Sequence, residues 1–425
     1  MSATIPTLAA PILCSLTIAW TPLAAFAQDH KEKSDDWSVF ADQVFTSDGE
    51  MIKNALVRVH DGKIAAIVPG GSAGSSETSL RASAMTAGMI DLSARIDMGF
   101  GSVEQAREIS PDARVANAID LFDEEWSRAA RSGVTTVLAN PQDEDVIGGL
   151  GIALKTAGAS SVAARTVKAD AVLRGAIGTQ PSRRNHPAFG SPADIYSRRP
   201  TTRMGVEWEW RKAMYDAAAS RSDKSRAYPG SEQVLLALDD KLPLCIQAWS
   251  TQDIRTAIFL KEEIEREKLG TPRLILDAAA EAWKEPQLIV RSKAMVVLPP
   301  LPMQGRTGEG SFMAWNTAKL LDDLGVPIAL SAHGAGAAET RLDRQAGMAM
   351  RGGLSFEAAL AAVTITPAKM IGIDSRVGSI TVGKDADLVL WSGKPFELSS
   401  GVIGVLVDGQ LVLDPRPAKD SASAK

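Results

Sequence analysis

From residue 37 to about residue 86, short apolar runs alternate with turns. Val39-Phe40-Ala41 and Val44-Phe45 lead to a turn at Ser47-Asp48-Gly49, then to the run 55–60. Asp61-Gly62 is a strong two-residue hairpin signal between that run and 63–68. These pieces predict a small β-unit, closed by the Gly/Ser-rich stretch 70–76. His60 falls inside one of its strands, where a structural or solvent-facing role is expected.

The rhythm changes between about residues 88 and 371 to strands alternating with helices, the pattern of a parallel sheet. Ser110-Pro111-Asp112 reads as a helix start, with a capping hydroxyl, a proline in the first turn and an acid near the positive end. Val115, Ile119, Phe122, Trp126 and Ala129 follow at helical spacing, and Gly133 precedes the β-branched strand 134–138. Further strands are predicted at 244–249, 273–276, 294–299 and 326–331. Helices are predicted at 253–268, 314–324 and 355–363, the last capped by Ser355. Residues 159–227 are the least regular and read as a long insertion over one end of the sheet. After residue 371 the pattern returns to β, with a second Asp-Gly hairpin at Asp408-Gly409 and a loose tail.

Composition adds an address. The chain has 425 residues, enough for one large domain and a smaller one, and 45% hydrophobic with 23% charged residues is ordinary for a globular protein. A net charge of −5 leaves no polyanion-binding footprint, so no nucleic-acid partner is expected. Residues 1–27 combine an apolar run at 8–20 with Ala25-Phe26-Ala27 and a polar continuation. That is the pattern of a secretory signal peptide, too short for a transmembrane helix, and it points to a periplasmic or secreted protein. Cys14 lies within it, so Cys245 is the one cysteine after cleavage and no internal disulfide can form. Its apolar neighbours make it an inert core thiol.

The stretch Ala87-Gly88-Met89-Ile90-Asp91-Leu92-Ser93-Ala94-Arg95 resembles the opening strand of the amidohydrolase superfamily, Pro-Gly-(apolar)-Ile-Asp-x-His-x-His. Gly133-Val-Thr-Thr-Val137 resembles its second strand. Thr364, Pro367, Ala368 and Gly372, followed by Val377-Gly-Ser-Ile380 and Gly383-Lys-Asp-Ala-Asp-Leu-Val389, resemble its C-terminus. Val146-Ile147-Gly148-Gly149 and Thr202-Arg203-Met204-Gly205 are similar to the imidazolonepropionase and prolidase-like subgroup. The resemblance implies an α/β protein: a (β/α)8 TIM-type barrel at 88–371, with a small β-sandwich domain built from 37–87 plus 372–416 and a flexible tail at 417–425.

The resemblance also implies hydrolysis of carbon–nitrogen bonds by one or two divalent metals. These are held by the paired histidines, a carboxylated lysine, histidines ending strands five and six, and an aspartate ending strand eight. Imidazole and carboxylate suit the task because they donate lone pairs to a borderline cation whose bound water then ionises near neutral pH. In this chain Ser93 and Arg95 stand at the histidine pair, Gln247 on strand five, and Asp277-Ala-Ala-Ala280 after strand six. His333 stands near the aspartate position, and Lys155 near the lysine. The four histidines are His30, His60, His186 and His333, and only the last falls at a barrel strand end. A guanidinium about 4 Å from a divalent ion opposes it by about 8 kcal/mol at an effective dielectric of 20, against about 10–16 kcal/mol for a structural zinc.

The expectation is therefore a barrel without metal or other cofactor, binding a small-molecule ligand or a partner through Ser93, Arg95 and Gln247. The alternative is a hydrolase with an atypical site built from Lys155, Asp277 and His333. Arg95 and Lys155 would make a cationic floor unless neutralised by Asp91, Asp97 or Asp277. Gly148-Gly149-Leu150-Gly151 lacks the ending of a phosphate loop and reads as a tight turn. The tryptophans at 208, 210, 249, 283 and 315 read as core rather than pocket lining.

Overall fold

The computed structural model describes residues 36–71, 79–94, 99–104, 106–181, 200–301, 312–332 and 341–416. The stretch 1–27 expected to be an export signal, the expected tail at 417–425, Arg95, Asp97, His186 and His333 lie outside the described residues.

The chain opens with β1 (Trp37–Phe45), β2 (Ile52–His60), β3 (Lys63–Pro69) and β4 (Ser79–Ala87). The predicted hairpin joins β2 to β3, with His60 paired to Lys63 and positive φ at both Asp61 and Gly62. Positive φ at both central residues is what a primed two-residue turn demands, and Asp-Gly adopts it at low cost.

Eight strands then follow one another in space in the order of the sequence. They are β5 (Met89–Asp91), β6 (Val134–Ala139), β7 (Ile147–Lys155), β8 (Thr166–Ala176), β9 (Leu244–Gln247), β10 (Leu274–Asp277), β11 (Met295–Leu298) and β12 (Ile328–Leu330). This is a nearly closed barrel sheet of the TIM type. Its seam is bridged where the Ala332 backbone N–H donates to Asp91 Oδ2 at 2.9 Å. One strand runs the other way: β7 is antiparallel to both β6 and β8, while the remaining neighbours are parallel.

Helices cover the outside. α1 (Glu124–Arg131) precedes β6 and α2 (Val162–Arg165) precedes β8; α3 (Arg203–Ala219) and α4 (Ser231–Leu238) precede β9. α5 (Thr251–Arg266), α6 (Pro286–Ser292) and α7 (Thr317–Asp323) follow β9, β10 and β11. α8 (Leu342–Arg351), α9 (Phe356–Val363) and α10 (Ile365–Ile371) follow β12. Ser250 and Asp253 form a capping box on α5, and the Ser355 side chain caps α9 as expected. β13 (Leu388–Trp391), β14 (Val402–Val407) and β15 (Gln410–Leu413) return to the first sheet, giving the order β15-β14-β13-β4-β1-β2-β3. Both chain ends thus share one sheet, with its own core around Val39, Val57, Leu388 and Leu406.

Period-two alternation sorts the barrel strands. Leu244, Ile246, Leu274 and Leu276 pack outward with the helices, while Cys245 and Ile275 join Ile90, Leu138, Val172 and Val297 in a separate inner cluster. Gln247 and Asp277 continue the inward positions at the strand ends.

Four local expectations are corrected. No helix starts at Ser110: residues 108–114 lie along β7, with Ile147 N–H donating to Glu108 O and Leu150 N–H to Ala113 O, and the helix begins only at Glu124. Once those backbone groups are engaged by a strand, a helical ladder is unavailable to them. The glycine-rich stretch is not a turn but the middle of β7; Gly149 has φ of 123°, and a Cβ there would lie 2.3 Å from Ala113 O. The region read as an insertion holds the barrel strand β8 and the 17-residue helix α3. Among the tryptophans read as core, Trp210 is buried, but Trp208 and Trp315 are exposed.

Candidate functional site at the barrel mouth

The C-terminal ends of the parallel strands carry a buried polar cluster centred on Arg174, an inward residue of β8. Its guanidinium lies 2.7 Å from both Asp143 Oδ1 and Asp277 Oδ2, and donates to Cys245 Sγ at 3.1 Å. All four side chains are almost wholly buried. Burial works against the charge on Arg174, but the Asp143 and Asp277 carboxylates outweigh it and hold the group firmly protonated. Burial likewise pushes the Cys245 thiol up to about 12, against the pull of Arg174, so the sulfur is an acceptor here and not a nucleophile.

Two of the sequence candidates enter this cluster directly. Gln247 Nε2 donates to Asp143 Oδ2 at 2.6 Å, and Ser93 Oγ donates to Asp277 Oδ2 at 3.0 Å. Asp91 sits beside them, its carboxylate accepting from the N–H groups of Ser93 and Ala332 at 2.9 Å each and from the Ser331 hydroxyl. Burial raises its pKa above the usual carboxylate range, and those hydrogen bonds only partly offset the rise. Asn140, at the end of β6, donates to Leu92 O.

The cluster has more acceptors than donors. Among the described residues, no group donates to Asp277 Oδ1, Gln247 Oε1 or Asn140 Oδ1, and each of these atoms is buried. A buried polar atom left unpaired costs about 1–3 kcal/mol, so three at one end of a barrel mark a place that something else completes. A small apolar cavity of about 20 Å³ is lined by Leu298, Pro299, Trp315, Leu330, Ser331 and Gln345, and by none of Arg174, Asp143, Asp277 or Gln247. Ser331 belongs to both, since its hydroxyl serves Asp91. Two wider grooves flank α3. In one of them the charges are spent on each other, Arg211 on Glu207 and Glu263, and Lys212 on Asp216.

Lys155 and Asp277 do not meet. Because β7 is reversed, its last residue lies at the opposite end of the barrel, level with Thr136. There Lys155 Nζ reaches Asp387 Oδ2 at 2.7 Å, Asp385 Oδ2 at 3.0 Å and Asp408 Oδ1 at 3.2 Å, all from the C-terminal segment. The groups that neutralise it are these, not Asp91 or Asp277. Lys155 therefore contributes to no cationic floor at the mouth. His60 is exposed and pairs with Asp36, outside both clusters, although its strand partner Lys63 reaches Asp385.

Arg174 and Asp143 are functional-site residues that pattern reading missed. A signal was present: Ala171-Val-Leu-Arg-Gly-Ala176 is a buried-strand run carrying one guanidinium, and a charge there requires partners.

Among the described residues, the donor set does not fit the metal implied by the family resemblance. The described strand ends offer hydroxyl, amide and carboxylate groups and no imidazole, and among the described residues no three His, Cys, Asp or Glu side chains are placed to hold an ion. Asp143 and Asp277 each pair with Arg174, and Asp91 accepts from Ser93, Ala332 and Ser331. A divalent ion about 4 Å from that guanidinium would be opposed by about 8 kcal/mol. Ser93 with Asp277 has a hydroxyl and a carboxylate but no imidazole between them, so the hydroxyl lacks a base of matched pKa.

Known proteins bear on the frame. The profile of the amidohydrolase family matches residues 314–412. Amidohydrolase tasK of Hapsidospora irregularis is 40% identical over 62 residues, 15% of this chain and 6% of that protein. An imidazolonepropionase of Shewanella frigidimarina is 63% identical over 38 residues, 9% of each. The chain therefore aligns with only a small fraction of the length of either curated relative. Among solved structures, an amidohydrolase from Thermotoga maritima MSB8 superposes with a TM-score of 0.77 at 26% identity, over 89% of this chain and 100% of that one.

Proposed function

The chain belongs to the amidohydrolase superfamily, and from that premise we propose that it is an exported, metal-free member whose barrel mouth binds a small ligand. The observation that carries this reading is the guanidinium of Arg174, clasped by two carboxylates and a thiol at the inner end of the strands. A permanent cation fixed there serves the electrostatic need of the inward carboxylates that a metal serves elsewhere, without ionising a water. Export rests on the leader-like pattern of residues 1–27, and a periplasmic or secreted setting follows from it.

Metal analysis of protein purified without chelators tests the reading. Zinc, manganese and iron far below one equivalent are expected; one stoichiometric ion, lost together with secondary function on dialysis against a chelator, overturns it.

A hydrolase of carbon–nitrogen bonds is the second reading, favoured by the full-length match to the T. maritima amidohydrolase. It would draw on Asp277, whose Oδ1 is unengaged, and on His333. Turnover of cyclic amides or dipeptides that disappears in His333→Ala would establish it in place of the first.

A further inference from the structure

We propose that the solvent face of α3 is a self-association surface, through which a second copy of this chain pairs head to tail about a two-fold axis near the middle of the helix. The inference is independent of what the mouth binds.

α3 is apolar on two faces. On one, Val206, Trp210, Ala213, Met214 and Ala217 are buried, and Trp210 Nε1 donates to Ala176 O of β8 at 3.0 Å. On the other, Met204 and Trp208 stand one turn apart and are 77% and 55% exposed. Phe259 of α5, 51% exposed, extends this side of the molecule. It stands one turn before Glu263, the carboxylate to which Arg211 and Tyr215 of α3 both donate. A helix with one apolar stripe is complete once that stripe meets the core. A second stripe, left in water, marks a contact surface.

Charge says which partner. In Glu207-Trp208-Glu209-Trp210-Arg211-Lys212 the acids precede the bases. The helix surface is therefore electrically polar along its length. A copy laid parallel would set like charge on like, whereas an antiparallel copy sets acids on bases. With the axis between residues 209 and 210, Glu207 comes opposite Lys212 of the other copy, Trp208 opposite Arg211 and Met204 opposite Tyr215. Each pair then occurs twice, as an isologous contact requires. Indole against guanidinium is itself a favourable stack.

The rest of the face selects against a strongly charged foreign partner. Arg211, Lys212 and Arg226 are paired with Glu207, Glu263 and Asp216, so the two signs balance and no net field steers an acidic or basic protein to it. Shape agrees with a second copy. Grooves of about 400 Å³ and 670 Å³ flank α3, so the helix is a ridge between furrows, a form that interlocks with its own image.

Sedimentation of the intact protein up to about 100 µM tests this, with a reversible monomer–dimer equilibrium expected. Trp208→Ala and Lys212→Glu are each expected to weaken the dimer about tenfold. Adding Glu207→Lys to Lys212→Glu is expected to restore it. Those two positions are five apart and do not face each other within one helix, so the rescue must come across the interface. On the unmodified protein, amide-exchange protection of residues 204–215 should rise with concentration, which keeps the test valid if a variant folds poorly. A protein that stays monomeric throughout, or a dimer indifferent to Trp208→Ala, overturns the proposal. A dimer that Trp208→Ala weakens but the double charge exchange fails to restore overturns the head-to-tail pairing.

Discussion

At the base of the barrel Lys155 meets Asp385, Asp387 and Asp408; at the mouth Arg174 meets Asp143, Asp277 and Cys245. Both are buried basic side chains ringed by acids, yet the two ends are finished differently. The base is complete. Asp387 also accepts from Thr135 Oγ1 and the Asp408 backbone N–H, and Asp385 is shared with Lys63 and Arg376. The mouth leaves Asp277 Oδ1 and Gln247 Oε1 without donors. The base satisfies its acids with protein donors, whereas the mouth keeps buried acceptors that no described side chain serves.

The sharpest way to break the comparison is to remove each cation. Lys155→Met leaves three carboxylates facing one another at the junction of barrel and terminal sheet. A loss of about 3–5 kcal/mol is expected in urea titrations, with no rescue by small cations. Arg174→Ala strands two carboxylates and is expected to cost about 3 kcal/mol. Here the space left is a cation-shaped cage near the open end, so millimolar methylguanidinium should restore much of the loss. Rescue of the lysine variant and not of the arginine variant would invert the contrast drawn above.

The smallest effect is a pH dependence. Burial works against the charge of Asp385, but Lys155, Lys63 and Arg376 outweigh it and hold the group down at about 2. A carboxyl depressed below its unfolded value near 3.9 contributes stability that is present above that value and lost as the pH falls through the folded one. The expected loss between about pH 4 and pH 2 is about 2 kcal/mol, and Asp385→Asn should flatten that limb. Asp387 moves the other way: burial holds it above the usual range despite Lys155. An unaltered acid limb in the asparagine variant would show that Asp385 is not part of the clasp.

Much of the frame was legible because its signals are local. Ser355 announces its helix within three residues, and Asp61-Gly62 and Asp408-Gly409 announce their hairpins within two. The reversal of β7 was not legible. Its buried, uniformly apolar pattern has no direction, and only the hydrogen-bonded register reveals which way it runs. That single fact sent Lys155 to the wrong end in the sequence reading. Arg174 escaped for a related reason: Asp143 is 31 positions from it and Cys245 is 71, and periodicity carries no information at such separations.

The first sheet has an ordering in time written into its connectivity. β4 needs β13 as a neighbour, and the bond from Trp391 Nε1 to Thr86 Oγ1 joins residues 305 positions apart. A chain emerging from its amino end must hold that strand edge open until nearly everything else has been made. The same late segment delivers the acids that neutralise Lys155. Closure of the first sheet and neutralisation of Lys155 thus wait on one late stretch, residues 385–408.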